Sequence, residues 1–299
     1  MTAQPHLSWN VIADIRHLLA YPFMQNAMLA ATIVAVLAAV VGWFMVLRSQ
    51  SFAGHTMSVV GFPGAAGAVW LGLSAATGYF AFCIAAGLVL AAVPNSARGR
   101  REESSVIGVL QAFALALGLL FVSLFKGFLG GIDALLFGSF LGITNSQVVT
   151  LAVLAIAALA ILAVIGRPLV FASVDADVAE ARGVPTRALS AVFLLLLAVT
   201  TAEVSQLTGA LLVFALLVMP AAAAQRLATD PRTSLILAVV IGVLVTWLGL
   251  GVAYFSAYPI GFYITSFGFG AYLLASLWEL GRRHRGRRAA ATPHLAAAR

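Results

Sequence analysis

Apolar runs of helix length recur along almost the whole chain, separated by short polar intervals. Nine of them predict helices, at residues 23–47, 52–74, 79–93, 105–125, 147–165, 188–202, 207–227, 234–255 and 261–280. A helix needs roughly 20 apolar residues to cross the hydrocarbon of a bilayer, and several of these runs reach that length. The runs are continuous, whereas a membrane β-barrel would show alternating segments of roughly 10 residues. The predicted class is therefore all-α, a polytopic membrane helix bundle of about eight to nine crossings.

Two intervals break the pattern. Glycines break the chain between Lys126 and Gly142, yet the stretch 134–140 is apolar. This predicts a short external half-helix that dips toward the bundle, because irregular backbone at membrane depth must be sheltered by protein or water. The second interval, 171–187, is a charged island holding Asp175, Asp177, Glu180, Arg182 and Arg187. Ser173 can cap a helix start, Asp175 and Asp177 suit its positive end, Gly183 suits a left-handed C-terminal position, and Pro185 stops continuation. About nine residues of helix cannot span a bilayer that needs roughly 20, so the island is a surface handle for another protein.

Composition strengthens the membrane reading. The chain is 62% hydrophobic and 9% charged, with mean hydropathy +1.05, against roughly 45–50% apolar and 25% charged for soluble domains. The net charge of +7 is concentrated in Arg98, Arg100 and Arg101 and in Arg282, Arg283, Arg285, Arg287 and Arg288. In a soluble chain such clusters would suggest nucleic acid; beside membrane spans they mark the cytoplasmic side, so no nucleic acid is expected. Arg48, Arg167, the island, Arg226 and Arg232 fall on that same side when the crossings are counted, which places the N-terminus outside; only Arg16 disagrees. Three parts follow: an interfacial amphipathic segment at 1–22, a transmembrane region at 23–281, and a basic, Ala-rich tail at 282–299, expected to be disordered.

Catalytic signatures are missing. No His-Glu-x-x-His pair, Gly-x-Ser-x-Gly elbow or glycine-rich phosphate loop occurs, and Lys126 is the only lysine; any ATP hydrolysis must take place on another chain. Cys83 is the only cysteine, so an internal disulfide and a thiolate metal cluster are excluded. The unusual span is the second. Gly54, Ser58, Gly61, Gly64 and Gly67 let neighbouring helices approach, Pro63 removes a backbone hydrogen bond, and His55 shares a face with Ser58. These features fit close packing, or a cation pathway lined by His55 with Met57 or Ser58. Glu203, Asp133 and Gln111 are expected as interfacial or packing groups, and Met219-Pro220 as a kink.

Four stretches together resemble the permease subunits of zinc and manganese ATP-binding-cassette importers: Val46-Leu47-Arg48 leading into Ser51-Phe52-Ala53-Gly54, the segment 135–142, Ala181-Arg182-Gly183-Val184-Pro185, and the segment 209–222. They occur in family order over roughly residues 23–280. The resemblance implies a bundle of the type II importer kind in the bacterial inner membrane, a homodimer with a path for zinc or manganese between its copies, and no permanently bound cofactor. It also implies a cytoplasmic ATP-binding subunit and an extracytoplasmic metal-binding protein as partners. The island would be the coupling helix, with Asp175, Asp177, Glu180, Ala181, Arg182 and Gly183 engaging the ATPase. Where the family reads Gly-Asp-Ala-Leu-Ser-His, this chain reads Gly54-His55-Thr56-Met57-Ser58-Val59: His55 replaces the acid, Val59 replaces the histidine and Ser58 is retained. His55 is thus the expected metal ligand, with Ser58 and Met57 beside it. The alternatives are a permease for a metal chelate or small organic solute, and an ATP-independent channel or scaffold.

Overall fold

Inside a bilayer the backbone must satisfy its own hydrogen bonds, which a helix does within a single segment. The computed structural model describes residues 20–93, 97–124, 135–138, 142–256 and 258–291, and among them the regular structure is helical. In chain order the helices are α1 (Pro22–Leu47), α2 (Ser51–Trp70), α3 (Ala75–Ala92), α4 (Ala97–Leu124), α5 (Asn145–Val174), α6 (Ala176–Ala181), α7 (Thr186–Thr208), α8 (Ala210–Leu227), α9 (Pro231–Tyr254) and α10 (Ile260–Ala291).

Local chemistry sets several starts. Ser74 caps α3 by accepting from the Thr77 amide. Thr144 and Gln147 form a reciprocal capping box on α5. Asp230 accepts from the Thr233 amide at 2.9 Å and Pro231 opens α9. Each device satisfies amides that the first turn leaves free.

The core is built around α1, which packs against α5, α7, α8 and α9. Its buried face is rich in alanine, from Ala27 through Ala31 and Ala35 to Ala39. A Cβ at Gly42 would collide with the Leu217 carbonyl of α8. Lipid is as apolar as the side chains, so small residues hold membrane helices together through dispersion contact at short range. Around this centre, α2 packs on α3, α4, α7 and α8, while α3 also lies along α7.

Seven of the nine longer helices are individually long and apolar enough to cross a membrane. The other two are α2, rich in small and polar residues, and α8, whose apolar stretch is Leu212–Leu227. Nine crossings were expected from hydropathy; seven helices meet that criterion among the described residues.

Other expectations shift. The run at 147–165 belongs to a helix of 30 residues that continues through Arg167 and Pro168 to Val174. Helical hydrogen bonds persist past the point where apolar composition ends. This extension absorbs Ser173, so Asp175 caps the island helix, accepting from the Val178 amide at 3.0 Å. That helix is six residues long rather than about nine. The last helix runs from Ile260 to Ala291, into the basic segment that starts at 282, consistent with the strong helix propensity of Ala and Arg. The interfacial segment expected at 1–22 lies outside the described residues up to position 19, and Asp133 lies outside them as well.

Of the segment expected as an external half-helix, residues 135–138 are described. Residues 135–137 form one helical turn, Tyr79 donates its hydroxyl to the Leu135 carbonyl at 2.7 Å, and Gly138 at φ +77° packs on the α7–α8 junction. There a Cβ on Gly138 would strike the Leu207 carbonyl, and one on Gly209 (φ +72°) would strike the Leu136 carbonyl. Only glycine combines that backbone conformation with such proximity.

Candidate functional site

His55 lies one turn into α2, and its position follows from the turn that precedes it. The α1 chain ends at Arg48, Ser49 adopts a left-handed conformation (φ +56°), and α2 starts at Ser51. The Gln50 amide donates to the Met45 carbonyl at 2.9 Å, closing the turn. Gly54 then passes so close to Met45 that a Cβ would strike its sulfur. This brings the half-buried His55 ring against Phe214 of α8, with 4.8 Å between centroids and 59° between planes.

The Nδ1 atom of His55 is buried and has no hydrogen-bond partner. A buried imidazole nitrogen without a partner forgoes a favourable interaction that a cation or a donor would supply. Ser58, on the next turn, is buried and donates to the His55 carbonyl at 2.7 Å. That bond uses its proton and leaves oxygen lone pairs free to accept or to ligate. Met57 sits differently: it is fully buried in the central core, and its carbonyl accepts from the Cys83 thiol at 3.4 Å. His55 and Ser58 thus stand together, while Met57 faces into packing. Val59 is half-buried beside Val60, Ala86 and Ala114. Among the described residues there is no group of three or more His, Cys, Asp or Glu side chains that could hold a metal.

Sequence reasoning undervalued one residue. Glu203, expected near an interface, is fully buried in α7, and neither carboxylate oxygen has a hydrogen-bond partner. Thr200, one turn away, also leaves its hydroxyl unpartnered. A carboxylate three residues from a threonine in an apolar span was the available signal.

At the arginine-rich end, α6 projects from the bundle. Ala179 is its buried anchor, while Asp175, Asp177, Glu180, Ala181, Arg182 and Gly183 are exposed. Gly183 (φ +82°) ends the helix, with its amide on the Glu180 carbonyl at 2.9 Å and the Val184 amide on the Ala179 carbonyl at 3.0 Å. A groove of about 470 Å³ adjoins it, lined by Ala91, Glu180, Val184, Pro185 and Arg187 among others. The arrangement is an exposed, charged helix of six residues beside a groove.

The model of the ABC 3 transport family matches residues 20–279. The chain belongs to this family. The manganese transport system membrane protein MntC of Halalkalibacterium halodurans is 30% identical over 80% of each chain. The chelated iron transport system membrane protein YfeC of Yersinia pestis is 31% identical over 80% of this chain and 79% of its own. Among solved structures, PsaBC from Streptococcus pneumoniae in complex with Fab superposes with a TM-score of 0.77 at 26% identity, covering 89% of this chain and 95% of that one. As an ABC 3 permease, the chain is a multi-pass membrane subunit of a bacterial importer and not itself an enzyme.

Proposed function

We propose that this permease forms the path of an ATP-driven importer for manganese or chelated iron, with His55 and Ser58 on that path and α6 docked in a separate ATPase. The observation that carries the reading is the unpartnered His55 Nδ1, set beside Phe214 on a helix of small residues in an ABC 3 chain. An imidazole gives a transported cation one nitrogen ligand, and the Ser58 oxygen adds a weak one. The remaining ligands would come from water or from a second copy of the chain facing the same path. An extracytoplasmic binding protein would deliver the substrate at the end holding the 135–138 turn.

The sequence resemblance pointed to zinc or manganese; the named relatives support manganese and chelated iron. Reconstitution with the ATPase and binding protein decides the matter, using uptake of manganese, of zinc and of a ferric chelate. ATP-dependent uptake of one of these, reduced in His55→Ala, is the expected result. Uptake without ATP would identify a channel instead.

A further inference from the structure

The guanidinium of Arg48 joins three elements. Its Nη2 donates to the Ser190 hydroxyl at 3.0 Å in the second turn of α7. Its Nη1 donates to the Ser173 hydroxyl at a longer 3.4 Å, in the last turn of α5. Its Nε donates to the Gln50 side chain at 3.1 Å, within the turn that leads into α2. The group also lies 5.4 Å from the centre of the Phe193 ring. Ser173 and Ser190 bracket the segment that carries α6, one on each side. A planar guanidinium has donors in a fixed fork, so it holds two hydroxyls at once where an ammonium presents a single point.

The two serines are otherwise free to receive it. Ser173 sends its proton to the Leu169 carbonyl, leaving its oxygen to accept. Ser190 is buried, so its bond to Arg48 is shielded from water. On the other side, Arg48 caps α1, with its amide on the Phe44 carbonyl at 2.9 Å. Two residues separate it from α2, and one of them is held in the left-handed conformation. There is little slack between the guanidinium and the first turn of α2.

We propose that Arg48 is the positioning residue that carries displacement of α6 to α2, and so to His55. The proposal rests on the importer reading above. When a partner pulls on α6, the flanking ends of α5 and α7 move with it; Arg48 holds both ends and drags the α1–α2 turn along. It touches neither substrate nor ATP and acts through the two serines.

The test uses the complete complex of permease and ATPase in vesicles, with a Phe52→Cys reporter in the first turn of α2, where Phe52 is exposed. Maleimide labelling of this cysteine is followed with and without ATP. With Arg48 present, ATP changes the labelling rate. In Arg48→Met that change falls by about tenfold while ATPase binding and basal hydrolysis persist, the size of a typical allosteric coupling. The milder Ser173→Ala/Ser190→Ala pair, which keeps the charge and the Phe193 contact, shows the same loss in part. An ATP response in Arg48→Met equal to that of the parent overturns the proposal, as does loss of ATPase binding in both variants, which would make Arg48 a folding or docking residue. If no ATPase associates with the parent chain, the importer reading itself falls, and this inference with it.

Discussion

Trp43 of α1 donates its indole N–H to the Ser234 hydroxyl of α9 at 2.9 Å, and both side chains are buried. Gln225 of α8 donates to the Trp43 carbonyl at 3.0 Å. One residue of the central helix is thus tied to both neighbours at the level where the arginine-rich end begins. Trp43→Phe keeps an aromatic ring and removes the donor together with the five-membered ring that carries it. Its expected cost is about 1 kcal/mol, read as a lower thermal midpoint in detergent, with transport little altered.

His55→Ala lowers uptake of whichever substrate the complex carries by about tenfold, with membrane abundance unchanged, because it removes the nitrogen and leaves a small cavity. Measurement of uptake beside an immunoblot checks both halves. Phe214→Leu keeps the packing volume but changes the face against the imidazole, and is expected to alter uptake less.

Glu203→Met raises thermal stability by about 1–3 kcal/mol, because a buried carboxyl without partners gives way to a side chain that packs. A denaturation series on the purified protein reads this. A destabilised variant would overturn this expectation and mean that the carboxyl has a stabilising partner in the purified protein.

Asp230 gives a pH dependence with a definite sign. The Thr233 amide holds its carboxylate below the usual range, so the native state binds this proton more weakly than the unfolded chain. Its contribution to the start of α9 is present above the unfolded pKa near 4 and is lost as pH falls through the lowered native value. In Asp230→Asn the cap survives and this acid-side loss disappears, which hydrogen exchange in the first turn of α9, followed from pH 6 toward pH 3, would show.

Gly138→Ala and Gly209→Ala each force a side chain against backbone carbonyls at positive φ. Each is expected to cost at least about 1–2 kcal/mol and to free the 135–138 turn from the bundle. Protease sensitivity near that turn measures the release.

Hydropathy made most of the bundle legible. Every predicted run has its helix, because length and apolar composition are what a bilayer selects. The sequence also showed where α6 would lie, through Gly183 and Pro185. It misplaced the cap, since Ser173 and Asp175 are both good N-cap residues and only the continuation of α5 decides between them. His55 stood out as a lone imidazole in an apolar span. Its neighbour Phe214 did not, because that pairing depends on how closely Met45 and Gly54 let α2 approach. Arg48 could be read as a topology marker; its two serines lie 125 and 142 residues away, a connection that only tertiary packing makes.

The glycine contact between α2 and α3 has a mechanical consequence. Gly64 and Gly78 oppose each other so closely that a Cβ on either would meet the other's carbonyl oxygen, and only residues 71–74 join the two helices. Such backbone-to-backbone contact leaves little side-chain material to shear at this point, which favours movement of the hairpin as one body. In the importer proposed above, alternation between open states would then fall at its borders, such as the seam where His55 meets Phe214.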